Sequence, residues 1–338
     1  MKAYNIAIAG VTGAVGQEML SILEERDFPV QSIKGLASER SAGKEFKFKD
    51  EKFVIELLSK NSFKGIDIAF FSAGGSLSKK FVPFAVESGA VVVDNTSAYR
   101  MDPDVPLVIP EINSESIADY KKKGIIANPN CTTAVALMGI APIHRYSRVK
   151  RIVASSYQSV SGAGAKAINE LEEQINSWVS KKPLKNNVFP YQIAFNVIPH
   201  IDSFGENGFT KEEMKLHNES RKILGDKNLS AVCTTVRVPV FRAHSVSVNI
   251  ETEKKVTVKK ARELIEAFPG VQLYDDISKN IYPMPLYWSG KDDCSVGRLR
   301  EDYSVENGLS FFVVGDQIRK GAALNAVQIA EELVAVLK

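Results

Sequence analysis

The sequence predicts an α/β fold in two parts, a doubly wound parallel sheet at the front of the chain and an α+β part with a mostly antiparallel sheet behind it. Three observations lead there. A short apolar strand at residues 5–9 runs into Gly10-Val11-Thr12-Gly13-Ala14-Val15-Gly16 and then into a helical pattern ending near Leu23. Further short apolar segments at 66–72 and 90–95 each lead into small or polar residues, and strands alternating with helices imply a parallel sheet. After Cys131 the pattern changes to long segments of alternating polarity at 150–158, 231–240 and 245–251, which read as antiparallel strands.

Size and composition agree with two domains. A chain of 338 residues exceeds the length at which one hydrophobic core stops growing. The expected division is a nucleotide domain from 1–130 plus 320–338 and a second domain from 131–319. A net charge of +3, with lysines scattered as in Lys121 to Lys123 and Lys181-Lys182, gives solvated faces and no nucleic-acid footprint. The three cysteines, Cys131, Cys233 and Cys294, are far apart and odd in number, which points to a reducing compartment and away from a disulfide framework. Four histidines without close Cys or His neighbours suggest no metal site. No apolar run approaches the roughly 20 residues of a membrane span. The expectation is a cytoplasmic protein that acts on small molecules.

Taken in order, the first strand, glycine loop and helix form a Rossmann-type start. Gly10, Gly13 and Gly16 let the backbone turn tightly and approach a pyrophosphate, whose charge meets the N–H groups of the helix. The second strand, around 32–36, ends in Ala37-Ser38-Glu39-Arg40-Ser41, where an adenosine ribose should lie. Arginine flanked by serines suits a 2′-phosphate, so Ser38, Arg40 and Ser41 favour NADP over NAD. The next two strands deliver Gly74 and Arg100 beyond their carboxyl ends, where ligands of such sheets gather, making Arg100 a candidate anion ligand.

Asn128-Pro129 reads as a turn before the apolar helical stretch from Thr133, which sets Cys131 among the free N–H groups of a helix start. A cysteine so placed can titrate below its free value of about 8.5, and the thiolate attacks carbonyl carbon. Further on, a helix over 165–179 presents Ile168, Leu171, Ile175 and Trp178 as a core face. Irregular segments at 180–187 and 276–293 are expected as surface loops. On a helix over 211–224, Glu212 and Lys215 lie three apart and share a face, with Glu213 a competitor for the role of Glu212. Arg237 and His244 are seven apart, so on a regular strand they point to opposite faces, and they converge only if the region around Pro239 turns or bulges. Histidine suits a thiol partner because it exchanges protons near neutrality. A last strand at 309–315 feeds a helix from 322–337 that is expected to return to the nucleotide domain.

The glycine loop, the Asn128 to Ala134 segment, Gln158 with Ser161-Gly162-Ala163-Gly164, and Arg237 with His244 together resemble the aspartate-β-semialdehyde dehydrogenase family, from Asn5 to the terminal helix. The resemblance implies that Cys131 is the acyl-thioester nucleophile and His244 the acid/base. It implies that Gln158 orients the intermediate, Arg237 holds the substrate α-carboxylate, Glu212 meets its amino group, and Arg100 and Lys215 bind phosphate. It places NADP against Thr12, Gly13, Ala14 and Val15, Arg40-Ser41, Ser161-Gly162 and Gln317, and makes the second domain a catalytic and dimerisation domain of a homodimer. The implied activity is reversible reductive dephosphorylation of aspartyl phosphate to aspartate semialdehyde, on the way to lysine and diaminopimelate, threonine and methionine. Three alternatives stay open: N-acetyl-γ-glutamyl-phosphate reductase, a catalytically silent NADP-binding protein, and a cysteine hydrolase. The Glu212/Lys215 pair and Arg237 favour a free amino-acid substrate over an N-acetylated one.

Overall fold

The structure, a computed structural model, describes residues 2–337. It divides into two compact units, Met1–Asn130 with Ala322–Lys338, and Cys131–Gly321.

The first unit runs β1 (Tyr4–Ala9), α1 (Ala14–Glu25), β2 (Val30–Ala37), β3 (Glu45–Phe48), β4 (Glu51–Val54), β5 (Glu56–Leu57), β6 (Ile68–Phe71), α2 (Gly75–Glu87), β7 (Val91–Asp94), α3 (Pro110–Asn113) and β8 (Ile125–Ala127). Six strands form one sheet in the order β5-β2-β1-β6-β7-β8, and every pairing in it is parallel. The chain leaves β1 toward β2 on one side and resumes with β6 on the other. The carboxyl ends of β1 and β6 therefore flank the point where the winding reverses, the place where such sheets bind ligands. The β3–β4 hairpin and β5 were not legible, because a short charged stretch has weak periodicity. Phe46 and Phe48 nevertheless turn inward, and Phe46 stacks on Phe53 with ring centroids 5.5 Å apart.

The second unit contains α4 (Cys131–Tyr146), β9 (Val149–Gln158), α5 (Ala165–Val179), α6 (Lys211–Ile223), β10 (Ser230–Arg237), β11 (His244–Thr252), α7 (Val258–Glu266), β12 (Val271–Leu273), α8 (Pro285–Trp288), β13 (Cys294–Asp302) and β14 (Gly308–Gly315). Its sheet has the order β10-β9-β11-β14-β13-β12. The central pairs β9–β11, β11–β14 and β13–β14 are antiparallel. The segment expected as a third antiparallel strand, β10, instead runs parallel to β9. The long connection through α5 and α6 makes this possible, since only a crossover can join parallel neighbours. Helix α4, buried from Thr132 to Ile143, packs on this sheet.

Two expectations in this unit are corrected. On α5, Leu171 is buried and Ile168 and Ile175 are partly buried, but Trp178 is 58% exposed near the helix end and meets Phe195 at a tilt of 55°. The segment 276–293 is not simply a surface loop, for it holds α8, whose Trp288 packs with Ala243 and Val314. The last helix, α9 (Leu324–Val336), belongs to the first unit and shares a core with β1 and α1 through Leu324, Val327, Ile329 and Leu333. Among the described residues no helix is long and apolar enough to cross a membrane.

Candidate active site

In the first unit the glycine loop has the geometry that its residues require. Gly10 has φ +95°, and a methyl group there would lie 2.7 Å from the Ser72 carbonyl oxygen at the end of β6. A methyl group at Gly16 would lie 2.3 Å from the Gly10 carbonyl oxygen, so any side chain would open the turn. Gly13 is the N-cap of α1 with no side-chain hydrogen bond, and Thr12, Gly13 and Ala14 are exposed. A helix start without a side-chain cap, on a backbone that Cβ atoms would obstruct, fits a pyrophosphate group. Beyond β2, Ser38, Glu39 and Arg40 are exposed, and the Ser38 carbonyl accepts the N–H groups of Ser41 at 2.9 Å and Ala42 at 3.0 Å, closing a turn over the buried Ser41. Gly74, with φ +96°, is the N-cap of α2.

Arg100 is buried. Its Nε donates to the Asn128 carbonyl at 2.8 Å and its Nη2 to the Asn95 carbonyl at 2.9 Å. It thereby ties the loop after β7 to the segment that precedes Cys131. Asp94 organises the same loop, accepting from Ser78 Oγ at 3.0 Å and from Thr96 N and Oγ1 at 3.0 and 2.9 Å, while burial pushes its carboxyl above the usual range.

In the second unit Cys131 is the first residue of α4 and is partly exposed, whereas Cys233 and Cys294 are buried. Burial pushes the Cys233 thiol up to about 12, with Glu213 and Glu212 adding to the effect, which removes it as a nucleophile. Gly321 lies against Cys131, and a methyl group there would come within 2.8 Å of Cys131 Cβ.

Gln158, Arg237 and His244 meet because they are the terminal residues of three neighbouring strands. Gln158 ends β9, Arg237 ends β10 directly across from it, and His244 starts β11 beside the same end, one residue before Ser245 pairs with Tyr157. The sequence expectation that a turn near Pro239 must bring Arg237 and His244 together was too narrow. The chain does turn, but β9 lies between the two strands, so each residue flanks Gln158 from its own side.

Glu212 is buried between Gln158 Nε2, which donates at 3.1 Å, and Lys215 Nζ, which donates at 2.8 Å and also reaches Asp202 at 3.2 Å. Glu213 is not an alternative. It completes a capping box with Thr210 and accepts the Thr235 N–H at 3.0 Å, which fixes the rotation of α6 and turns Glu212 inward. Arg237 is buried, with Nη1 donating to the Ser159 carbonyl at 2.6 Å. Burial lowers its guanidinium from the ordinary value, against the opposing pull of Glu212 and Cys131, so its charge acts on both. His244 is wholly buried and pushed down to about 3 by burial first and Arg237 second. Gly162 passes close to both, and a methyl group there would lie 2.9 Å from Arg237 Nη1 and 3.3 Å from His244 Nε2. Gln317, expected beside the cofactor, has both ends of its amide engaged, Oε1 by the Ala243 N–H at 2.8 Å and Nε2 by Ser161 Oγ.

Sequence reasoning missed Ser159, whose hydroxyl and N–H both reach His244 Nδ1, and Asp316, which accepts from Arg242 Nε and the N–H groups of Gly290, Ile318 and Arg319. Nothing in local pattern marks a backbone donor or a loop-bracing aspartate. Gly321 was missed for the same reason, since crowding against Cys131 is a property of the fold. Among the described residues no group of three or more His, Cys, Asp or Glu is placed to hold a metal ion.

The comparisons with known proteins agree with this fold. Residues 5–120 match the family model for the semialdehyde dehydrogenase NAD binding domain, and residues 140–320 that for the semialdehyde dehydrogenase dimerisation domain. The aspartate-semialdehyde dehydrogenase of Aquifex aeolicus is 54% identical, with 98% of each chain covered. That of Bacillus subtilis is 44% identical, again with 98% of each covered. A crystal structure of aspartate semialdehyde dehydrogenase II from Vibrio cholerae superposes with a TM-score of 0.96 at 45% identity, covering 99% of each chain, and a second structure of that enzyme is a complex with ASA. With a doubly wound nucleotide unit, a mixed-sheet second unit and near full-length identity of this order, the chain belongs to the aspartate-semialdehyde dehydrogenase family.

Proposed function

We propose that the protein catalyses, with NADP, the reductive dephosphorylation of L-4-aspartyl phosphate to L-aspartate 4-semialdehyde and the reverse, phosphate-dependent oxidation through a Cys131 thioester. The observation that carries the reading is the one accessible thiol at a helix start, electrostatically coupled to Arg237, in a unit where Gln158, Arg237 and His244 converge at three strand ends and Glu212 reaches Gln158 from α6. The helix N–H groups and Arg237 favour negative sulfur, which attacks the acyl phosphate. Arg237 would take the substrate α-carboxylate in a charge-assisted pair, and the buried Glu212 its ammonium group. The Glu212 carboxylate argues for a free amino acid, because an N-acetylated substrate has no ammonium group to meet it. Lys215, already turned toward the site by Glu212, would meet the departing phosphate, a role also proposed for Arg100. Gln158 would orient the acyl group, and His244 would serve its oxygen. NADPH, when bound, supplies the hydride that reduces the thioester, and collapse of the resulting adduct releases aldehyde and restores the Cys131 thiolate.

The exposed Ser38 and Arg40 beside Ser41 support NADP over NAD. The same proposal includes a homodimer in the cytoplasm and a place in the synthesis of lysine and diaminopimelate, threonine and methionine. The test is reduced-nicotinamide formation from L-aspartate semialdehyde with NADP or NAD, with and without phosphate, for wild type and Cys131→Ala. Turnover that needs phosphate and Cys131 and prefers NADP is the expected result. Turnover by Cys131→Ala, or none by folded wild type, overturns the proposal.

A further inference from the structure

Between α5 and the bridge that pairs Ile198 with Arg237, residues 185–194 form no helix or strand, and two buried side chains of α5 hold them. Glu170 Oε2 accepts the N–H groups of Asn187 and Val188, each at 2.5 Å, and its Oε1 accepts that of Phe189 at 3.3 Å. One helical turn on, Gln174 Oε1 accepts the N–H groups of Ile193 at 3.1 Å and Ala194 at 2.9 Å, while its Nε2 donates to the Lys185 carbonyl at 2.8 Å. Five N–H groups of an irregular segment thus find acceptors on one helix face. A carboxylate suits the first of these tasks. Ionised, it accepts at two oxygens and donates nothing, whereas a glutamine amide offers one oxygen and would turn an NH2 toward an N–H. What the segment carries is Phe189, which is buried in one apolar cluster with Val160, Leu171 and Ile198. The guanidinium carbon of Arg237 lies over the Phe189 ring, 5.8 Å from its centroid. Arg237 is therefore held from three directions. Its N–H donates to the Ile198 carbonyl at 2.8 Å and its carbonyl accepts the Ile198 N–H at 2.9 Å, its Nη1 donates to the Ser159 carbonyl, and its guanidinium rests over the ring. A cation within about 6 Å of an aromatic face is attracted to it, more strongly where water is excluded, and Arg237 is buried.

We propose that Phe189 is a positioning residue for Arg237 and that Glu170 holds Phe189 in place, so that the guanidinium keeps the orientation in which it takes the substrate α-carboxylate. This rests on the role proposed above for Arg237. A guanidinium presents its donors in a rigid planar fork, and a two-pronged pair with a carboxylate needs that plane set before the carboxylate arrives. An arginine left to choose among rotamers would have to be ordered by the substrate, at a cost in affinity. The Phe189 ring removes that freedom and, having no acceptor oxygen or nitrogen, uses none of the donors of the fork. Glu170 acts one step further away, through the backbone of residues 187–189, and itself touches no substrate.

The test compares full-length wild type, Phe189→Leu, Glu170→Gln and the double variant in the oxidation of L-aspartate semialdehyde with NADP and phosphate. Phe189→Leu keeps an apolar side chain and loses the ring face. It should raise KM for the semialdehyde about tenfold, the factor that about 1.4 kcal/mol represents and within the range of a desolvated cation–π contact, with kcat and the KM for phosphate changed by less than about threefold. Glu170→Gln should raise the same KM, and the double variant should match Phe189→Leu to within about twofold, because a residue that acts through another adds nothing once the other is gone. An unchanged KM in Phe189→Leu, effects that multiply in the double variant, or an equal rise in the KM for phosphate overturns the proposal. Two further readouts need no turnover. Amide hydrogen exchange across residues 187–189 should quicken in Glu170→Gln, and phenylglyoxal should modify Arg237 faster in Phe189→Leu, followed by mass spectrometry. A rate equal to wild type in either experiment also overturns it. A wild-type protein inactive on aspartate semialdehyde would sink the substrate reading, while these two rates still decide what holds Phe189 and Arg237.

Discussion

Acidification should destabilise the second unit through His244 by an amount that one substitution isolates. The imidazole is wholly buried, and burial together with Arg237 pushes it down to about 3. In the unfolded chain the same group titrates at about 6.5. Between those values the unfolded state binds a proton that the folded state refuses, so the contribution is fully present above the unfolded value and is lost as pH falls. The loss is about 1.4 kcal/mol per pH unit, which integrates to about 2 kcal/mol from about pH 7 to about pH 5. His144 is lowered by burial and acts with the same sign, whereas Asp94 is raised by burial and acts with the opposite sign. Both cancel when wild type is compared with His244→Gln. The assay is urea unfolding at the two pH values followed by tryptophan fluorescence, for Trp178 and Trp288 both lie in the unit that holds His244. Wild type should lose about 2 kcal/mol more than His244→Gln over this interval. Losses equal to within about 0.5 kcal/mol would mean that the native imidazole accepts a proton freely, refuting the burial argument.

Gly162→Ala places a methyl group 2.9 Å from Arg237 Nη1 and 3.3 Å from His244 Nε2. If these groups act in the reaction as proposed, displacing them on this scale should lower kcat/KM by about 10²-fold with little change in the unfolding midpoint, and unchanged kinetics would contradict the proposed roles. Gly321→Ala crowds Cys131 Cβ at 2.8 Å, so alkylation of Cys131 by iodoacetamide, followed by mass spectrometry, should slow together with turnover. An alkylation rate equal to wild type would show that the thiol does not feel Gly321. Thr210→Ala removes the capping box of α6 and should cost about 1 kcal/mol, seen as a drop of about 2–4 °C in Tm. No drop would mean that tertiary packing alone sets this helix start.

Much of the architecture was legible because it repeats at short range. The strand, glycine loop and helix at the start of the chain are local in sequence, and the glycines are required by contacts within a few residues and with the adjoining strand. The helix start at Cys131 is local as well, since Asn128-Pro129 ends one element and the apolar stretch from Thr133 begins another. The family resemblance rested on such local motifs. Glu212 and Lys215 were placed on one face by helical spacing, and the structure keeps them there. What local pattern does not carry is strand pairing. Alternation marks 231–240 as a strand but is silent on its direction, and β10 runs parallel to β9 because α5 and α6 carry the chain back across the sheet.

For the site, the sequence by itself determined which side chains could do the chemistry, namely one thiol at a helix start, a histidine, two cations and a carboxylate at recognisable spacings. The tertiary structure alone decided how they are poised. It set β9 between β10 and β11, so that Arg237 and His244 approach Gln158 from either side. It gave Glu213 to the helix cap and left Glu212 for the site, a choice that hangs on a contact with Thr235 far along the chain. It also brought Ser159, Ser161 and Gln317 into one chain of hydrogen bonds that reaches His244 Nδ1. These outcomes depend on directional hydrogen bonds and on exclusion of water, which arise when distant segments pack, so they have no signature in any window of sequence.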